Sequence, residues 1–189
     1  MSDVEDIIRY GHPVLRRKAA PVHKINADVE RVIERMNGCL AAGGGLGLAA
    51  PQVGSSLRVI VYDVGEGPCA VINPRLQESK GIEVGLEGCL SLPRLYGDVP
   101  RAARVVIRGR NPQGRPVTIE AGDLLARILQ HEMDHLEGIL FIDRVNPETL
   151  HWLVAEGGQE GEPQRVYTTL ADALKIFEAR MASRRASHD

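Results

Sequence analysis

The chain has 189 residues, 43% of them hydrophobic and 25% charged, with 23 basic and 25 acidic side chains for a net charge of −2. That fits one domain with a modest appendage, large enough to fold without disulfide staples, and it excludes a basic nucleic-acid binder and a disordered chain. Three cysteines, an acidic start (Met1-Ser2-Asp3-Val4-Glu5-Asp6) and the lack of any apolar run near ~18 residues argue against a disulfide framework, a signal peptide and a membrane span, which leaves a cytoplasmic globular protein with an excess of 20 glycines.

Gly11, Pro13 and Pro21 punctuate a loop-rich entry. Asn26-Ala27-Asp28 then offers capping side chains, and Val29, Val32, Ile33, Met36 and Leu40 recur at helical spacing. These predict an amphipathic helix over 27–42, ended by Gly43-Gly44-Gly45. Residues 57–62, 70–72 and 82–86 have the β-branched content of strands. Val105-Val106-Ile107 and Val117-Thr118-Ile119 flank a turn at Asn111-Pro112-Gln113-Gly114 and read as a hairpin. A second helix spans 124–137 and stops at Gly138. The acidic, glycine-rich stretch 156–163 reads as a linker or exposed loop, and a third helix over 170–185 follows, where Thr169 and Asp172 resemble a capping box. Strands outnumber helices without alternating with them, so the expected class is α+β, with antiparallel or mixed sheets.

The second helix carries His131-Glu132-Met133-Asp134-His135. Histidines at i and i+4 share a face and reach one cation, with the glutamate beside its open position. Leu124, Ile128, His131 and His135 form one stripe, which places the histidines on the buried side. Two core histidines satisfied by ordinary partners would need several hydrogen bonds, and one metal replaces them all. The third ligand is open between a downstream glutamate (Glu148, Glu156, Glu160 or Glu162) and Cys89 in Glu87-Gly88-Cys89-Leu90-Ser91. Phe141 stands where one long zinc-protease pattern needs its third histidine. Cys39 and Cys69 read as small buried hydrophobes, whereas Cys89 lies between a glycine and a turn-like Ser-Leu-Pro. The glycine-rich run from Gly43 to Gly54 follows a helix and leads to a strand, the reverse of a dinucleotide loop. A glycine-lined wall ending in the amide of Gln52 suits acyl transfer.

Gly45-Leu46-Gly47-Leu48-Ala49-Ala50-Pro51-Gln52, Glu87-Gly88-Cys89-Leu90-Ser91 and His131-Glu132-Met133-Asp134-His135 together resemble the peptide deformylase family, over about residues 5–150. The resemblance implies an enzyme that hydrolyses the formamide of N-formyl-methionyl nascent peptides, releasing formate, with antiparallel and mixed sheets around a central metal-binding helix. It implies one divalent metal held by Cys89, His131 and His135, Fe²⁺ first, with Ni²⁺, Co²⁺ or Zn²⁺ as substitutes. Glu132 would move the proton, and Gln52 and the Leu90 N–H would donate to the oxyanion. Gly45, Leu46, Gly47 and Gly88 would bind substrate, with Leu46, Val84, Leu86 and Ile128 as candidates for the methionine pocket. Glu87 and Arg101 would brace the Cys89 turn, the alternative being a surface salt bridge. Arg127 either points outward or reaches a carboxylate.

On this reading residues 1–150 are the catalytic domain and 151–189 an extension. The terminal stripe Leu170, Leu174, Phe177 and Met181 ends among Arg180, Arg184 and Arg185. The resemblance suggests ribosome docking there, and the near-neutral charge favours a helix packed on its own domain. Neither a membrane nor DNA is expected as a partner. A zinc endopeptidase and a domain with a structural metal are the competing readings.

Overall fold

The computed structural model describes residues 4–154 and 163–186. Helix α1 (Ala27–Gly43) begins where the Asn26 side chain accepts the Val29 N–H at 3.2 Å and ends at Gly44, with φ at 63° in the left-handed region. Its buried residues, among them Ile33, Met36, Cys39 and Leu40, pack on β1 (Gly47–Ala49) and β2 (Val59–Tyr62). These two strands, with β3 (Cys69–Lys80), β6 (Arg104–Arg110) and β7 (Pro116–Gly122), form an antiparallel sheet in the order β1-β2-β3-β6-β7. A second antiparallel sheet has the order β4-β5-β8-β9, from β4 (Glu83–Cys89), β5 (Leu92–Arg101), β8 (His151–Val154) and β9 (Gln164–Tyr167). The class is α+β, as expected.

Helix α2 (Asp123–Leu136) joins the two sheets. Ala126, Leu129 and Leu136 bury against Ile60, Val71, Val105 and Ile107 of the first sheet. The side of α2 bearing His131 and Arg127 reaches Glu87 and the carbonyls of the β4–β5 hairpin. The helix therefore has an apolar back and a polar front. Gly138 ends it with φ at 75°. No described helix is long and apolar enough to cross a membrane.

Helix α3 (Leu170–Ala186) starts with half of the expected capping box: the Thr169 hydroxyl accepts the Asp172 N–H at 3.2 Å, and it donates to the Asp172 carboxylate at 2.7 Å. Ala173 and Phe177 are buried in a cluster with Val14, Leu92, Phe141 and Trp152. Arg180 lies over the Trp152 ring, 5.6 Å from its centroid. The helix is packed on its own domain.

Several expectations need correcting. β3 runs eight residues past the predicted 72, because register shifts after Ile72 and Leu76 leave its far half exposed and without alternation. The turn expected after Cys89 is present at residues 90 and 91, but it is short, and an unexpected ten-residue strand, β5, begins at Leu92 and tolerates Pro93 and Pro100 near its ends. β8 and β9 were not expected; each is four residues long, and they pair across the predicted 156–163 linker, which apart from Pro163 lies outside the described residues. Leu124 is 55% exposed and drops out of the buried stripe, since in the first turn of α2 it lines a cavity open to solvent. Cys69 is exposed, not a core residue, because it opens β3 after a glycine turn; it touches Tyr62, whose hydroxyl burial and that thiol push up to about 12.

Candidate active site

The ligand atoms of Cys89, His131 and His135 lie within 4.8 Å of one another, and the described residues hold no other such cluster. The α-helical spacing supplies the two imidazoles. Cys89 arrives at the end of β4, where the pairing with β5 breaks register between Gly88 and Cys89. Its Sγ is 3.2 Å from the His135 Nε2. Two of the four buried side-chain atoms without a partner among the described residues, Glu132 Oε2 and His135 Nδ1, belong to this group. A thiolate and two imidazoles suit a borderline divalent metal, and three protein ligands leave a fourth position open. Glu148 sits in an exposed turn at Pro147–Thr149, away from the histidines, and Glu156, Glu160 and Glu162 lie outside the described residues.

Behind the histidines stands a buried network of charges. Glu87 accepts two bonds from Arg101, at 2.8 and 2.9 Å, and both side chains are 4% exposed, so this is no surface salt bridge. Burial alone would raise the Glu87 pKa; hydrogen bonds from Arg101 and His131 outweigh it and hold the carboxyl down at about 2. An ionised Glu87 accepts a hydrogen bond from the His131 Nδ1–H across 2.9 Å, which leaves Nε2 free for a metal. Arg101 also binds Asp134, which Arg144 grips at 2.6 and 2.8 Å. Arg127 reaches Glu87 at 2.9 Å, as the carboxylate alternative required. The roles of Asp134 and Arg144 escaped the sequence reading, although Asp134 lies inside the histidine motif.

Glu132 is 3% exposed. Burial pushes its carboxyl up to about 7, with His131 opposing and Glu87 adding to the rise. In the metal-free protein His131 is raised well above its ordinary value, as bonds to Cys89 and Glu87 overcome burial. His135 is held well below, by burial and then by the neighbouring His131.

Gln52 sits in a short 3-10 turn (Ala50–Val53). Its Oε1 accepts the Ala49 N–H at 2.8 Å, which fixes the orientation of the amide. The Nε2 therefore donates toward the Cys89 Sγ at 3.4 Å and the Ser91 Oγ at 3.3 Å. A cavity of about 460 Å³ opens in front of the metal cluster. Gly45, Leu46, Gly47, Gln52, Gly88 and Leu90 line it, and so do Leu86 and Ile128. Val84 does not: it lies two residues farther along β4, 62% exposed and outside the cavity. Gly47 is required by close approach, since a Cβ there would fall 2.6 Å from the Glu132 Oε1.

A sequence profile of the polypeptide deformylase family matches residues 4–151. The peptide deformylase of Syntrophomonas wolfei is 48% identical over 141 residues, covering 75% of this chain and 93% of that protein. That of Desulfitobacterium hafniense is 48% identical over 141 residues, covering 75% and 94%. The crystal structure of the Thermotoga maritima peptide deformylase superposes with a TM-score of 0.73 at 46% identity, over 75% of this chain and 97% of that one. The Synechococcus elongatus enzyme in complex with actinonin gives 0.72 at 41% identity, over 74% and 78%. With 148 residues matched by the profile and relatives near half identity over almost their whole length, the chain belongs to the polypeptide deformylase family.

Proposed function

We propose that Glu132, Gln52 and Leu90 do the chemistry in this deformylase, a metal-dependent hydrolase that removes the N-formyl group from the N-terminal methionine of new polypeptides and releases formate. The observation that carries the reading is the unpartnered, buried Glu132 carboxylate oxygen beside the Cys89–His131–His135 cluster. When bound there, a divalent ion supplies Lewis acidity and lowers the pKa of water. Glu132, poised near neutrality, accepts the proton of the attacking water at its free oxygen and delivers one to the leaving amine. The Gln52 Nε2 and the Leu90 N–H donate to the developing oxyanion. Strands β1 and β4 are each the outermost of their sheets, and Gly45, Leu46, Gly47 and Gly88 receive the peptide backbone between them as an added strand. Leu46, Leu86 and Ile128 take the methionine side chain. Glu87 and Arg101 orient His131.

The native ion in this reading is Fe²⁺, a borderline metal that a single thiolate and two imidazoles suit, with Ni²⁺, Co²⁺ or Zn²⁺ able to replace it. A thiolate beside iron oxidises in air, so the deciding experiment is anaerobic purification, metal counting, and assay of formate release from formyl-Met-Ala. Release with about one ion per chain supports the reading; none with iron, nickel or cobalt loaded refutes it. A zinc endopeptidase that used a late glutamate would keep its metal when Cys89 is replaced by serine, and a purely structural metal would leave no activity for Glu132→Gln to abolish.

Residues 1–150 are read as the catalytic unit, working in the cytoplasm, and 151–189 as an extension that braces it. The burial of Ala173 and Phe177 and the stacking of Arg180 on Trp152 support that role for the terminal helix. Ribosome docking through Arg180, Arg184 and Arg185 is tested by reversing all three charges; unchanged co-sedimentation with ribosomes excludes it.

A further inference from the structure

A guanidinium keeps its charge under all ordinary conditions and carries five donors, so burying one demands several acceptors. Arg127 stands one helical turn before His131, with its side chain only 10% exposed. It finds four acceptors. Three are backbone carbonyls: Glu83 at 2.9 Å and Gly85 at 3.2 Å on β4, and Val99 at 2.7 Å on β5. The fourth is the Glu87 carboxylate at 2.9 Å. The guanidinium lies directly against Gly85, where an added Cβ would come within 2.9 Å of its Cζ and Nη2. A side chain at 85 would push the guanidinium off these carbonyls, so the glycine and the arginine act as one unit.

β4 is bonded to a neighbour on one side only, so its other edge owes its position to whatever anchors it from below. Two side chains of α2 supply that anchor: His131 through Glu87 alone, and Arg127 through the Glu83 and Gly85 carbonyls as well. Glu87, by contrast, keeps its two bonds to Arg101 whether or not Arg127 is present. We propose that Arg127, seated against Gly85, is a positioning residue that holds strand β4 at the height needed to pair with the peptide backbone beyond the formyl-methionine. The inference rests on the reading of β4 as a substrate-pairing strand. Removing Arg127 should therefore weaken the binding of longer substrates and leave the metal cluster and the chemical step intact.

The test compares Arg127→Met, Arg127→Lys and Gly85→Ala as metal-loaded proteins on two substrates: formyl-Met-Ala-Ser, which reaches along β4, and formyl-methionine, which does not. For Arg127→Met, KM on the tripeptide should rise about tenfold with kcat within about twofold, the mark of lost ground-state binding. KM on formyl-methionine should stay within about twofold, with the metal content and the visible spectrum of the Co²⁺ form unchanged. Arg127→Lys should fall between wild type and methionine, because an ammonium makes fewer bonds to the four acceptors. Gly85→Ala should shift the tripeptide KM in the same direction, and it carries the comparison if Arg127→Met fails to fold. Equal losses on both substrates, a fall in kcat accompanied by lost metal, or an unchanged tripeptide KM in Gly85→Ala would each overturn the proposal. A wild-type protein inactive on both substrates would instead refute the deformylase mechanism, which keeps the two failures apart.

Discussion

Replacing Gly47 by alanine adds one methyl group at the point where β1 passes the metal helix. The backbone there lies outside the left-handed region, so alanine brings no torsional strain, and the effect is one of space alone. The new carbon would start 2.6 Å from the Glu132 Oε1 and 2.8 Å from the Ile128 Cγ2, whereas ordinary contact begins at 3.4 Å. The Glu132 carboxylate is the far end of a flexible side chain and yields by about 0.8 Å, the gap between 2.6 and 3.4 Å, while Ile128, fixed in the helix, presses on β1. Misplacing a catalytic group by about 1 Å costs about 10²-fold in rate, or about 2.7 kcal/mol of transition-state stabilisation. Formate release from formyl-Met-Ala-Ser should then fall about 10²-fold in kcat/KM, with metal content close to wild type and a melting temperature lowered by the tight Ile128 contact. A loss smaller than about fivefold, or a loss matched by loss of metal, would show that Glu132 is not the group whose position sets the rate.

Gln52→Ala removes the amide aimed at the Cys89 sulfur, and kcat should fall about 10²–10³-fold in the same assay with the metal retained. The Glu87 carboxyl is held at about 2 in the folded protein against an ordinary 4.5, a gap equal to about 3 kcal/mol. Because the folded value is depressed, that stability is present above pH 4.5 and is lost as pH falls toward 2. In urea unfolding of the metal-free protein, the deficit of Glu87→Gln should accordingly be near its full size at pH 7 and shrink steadily below pH 4.5; a deficit independent of pH would sink the assignment. Phe177→Ala empties a buried site against Trp152, whose ring centroid is 5.4 Å away, and should cost about 3–5 kcal/mol in denaturant unfolding with kcat of the folded protein unchanged. A neutral result would mean that α3 does not brace the domain.

Helix α1, helix α2 and the β6–β7 hairpin were legible because each is specified locally, by periodicity, a cap or a turn. The metal cluster was half legible. His131 and His135 face one another through helical spacing alone, but Cys89 joins them from 42 residues before His131, and its glycine and turn-like neighbours made it one candidate among several until the motif singled it out. β5 was hidden by prolines at its second and ninth positions, which the strand accommodates near its ends. β8 and β9 are too short to show alternation and exist because each pairs with a neighbour. The charge network was the least legible part. Glu87 and Arg101 were foreseen as a pair and Arg127 as one of two alternatives, but which carboxylate Arg127 meets, and that Asp134 and Arg144 join the network, emerges only when α2 is laid against β4 and β5. Cys69 and Leu124 failed for the converse reason: an apolar residue at the margin of an element looks like core until its surroundings in the fold are known.

β1 and β4 end two different sheets and both border the same cavity. A peptide lying between them would be a tenth strand beside the nine described, and among these the only one bonded to both sheets. It would then act as a removable seam. Without it, the two sheets meet there through α2 and through the bonds of Gln52 to Cys89 and Ser91; with it, their nearest edges are bonded to one peptide as well. Amide exchange should slow at Gly45–Leu48 and at Leu86–Leu90 together when a non-hydrolysable peptide binds, and the far edges, β7 and β9, should not notice.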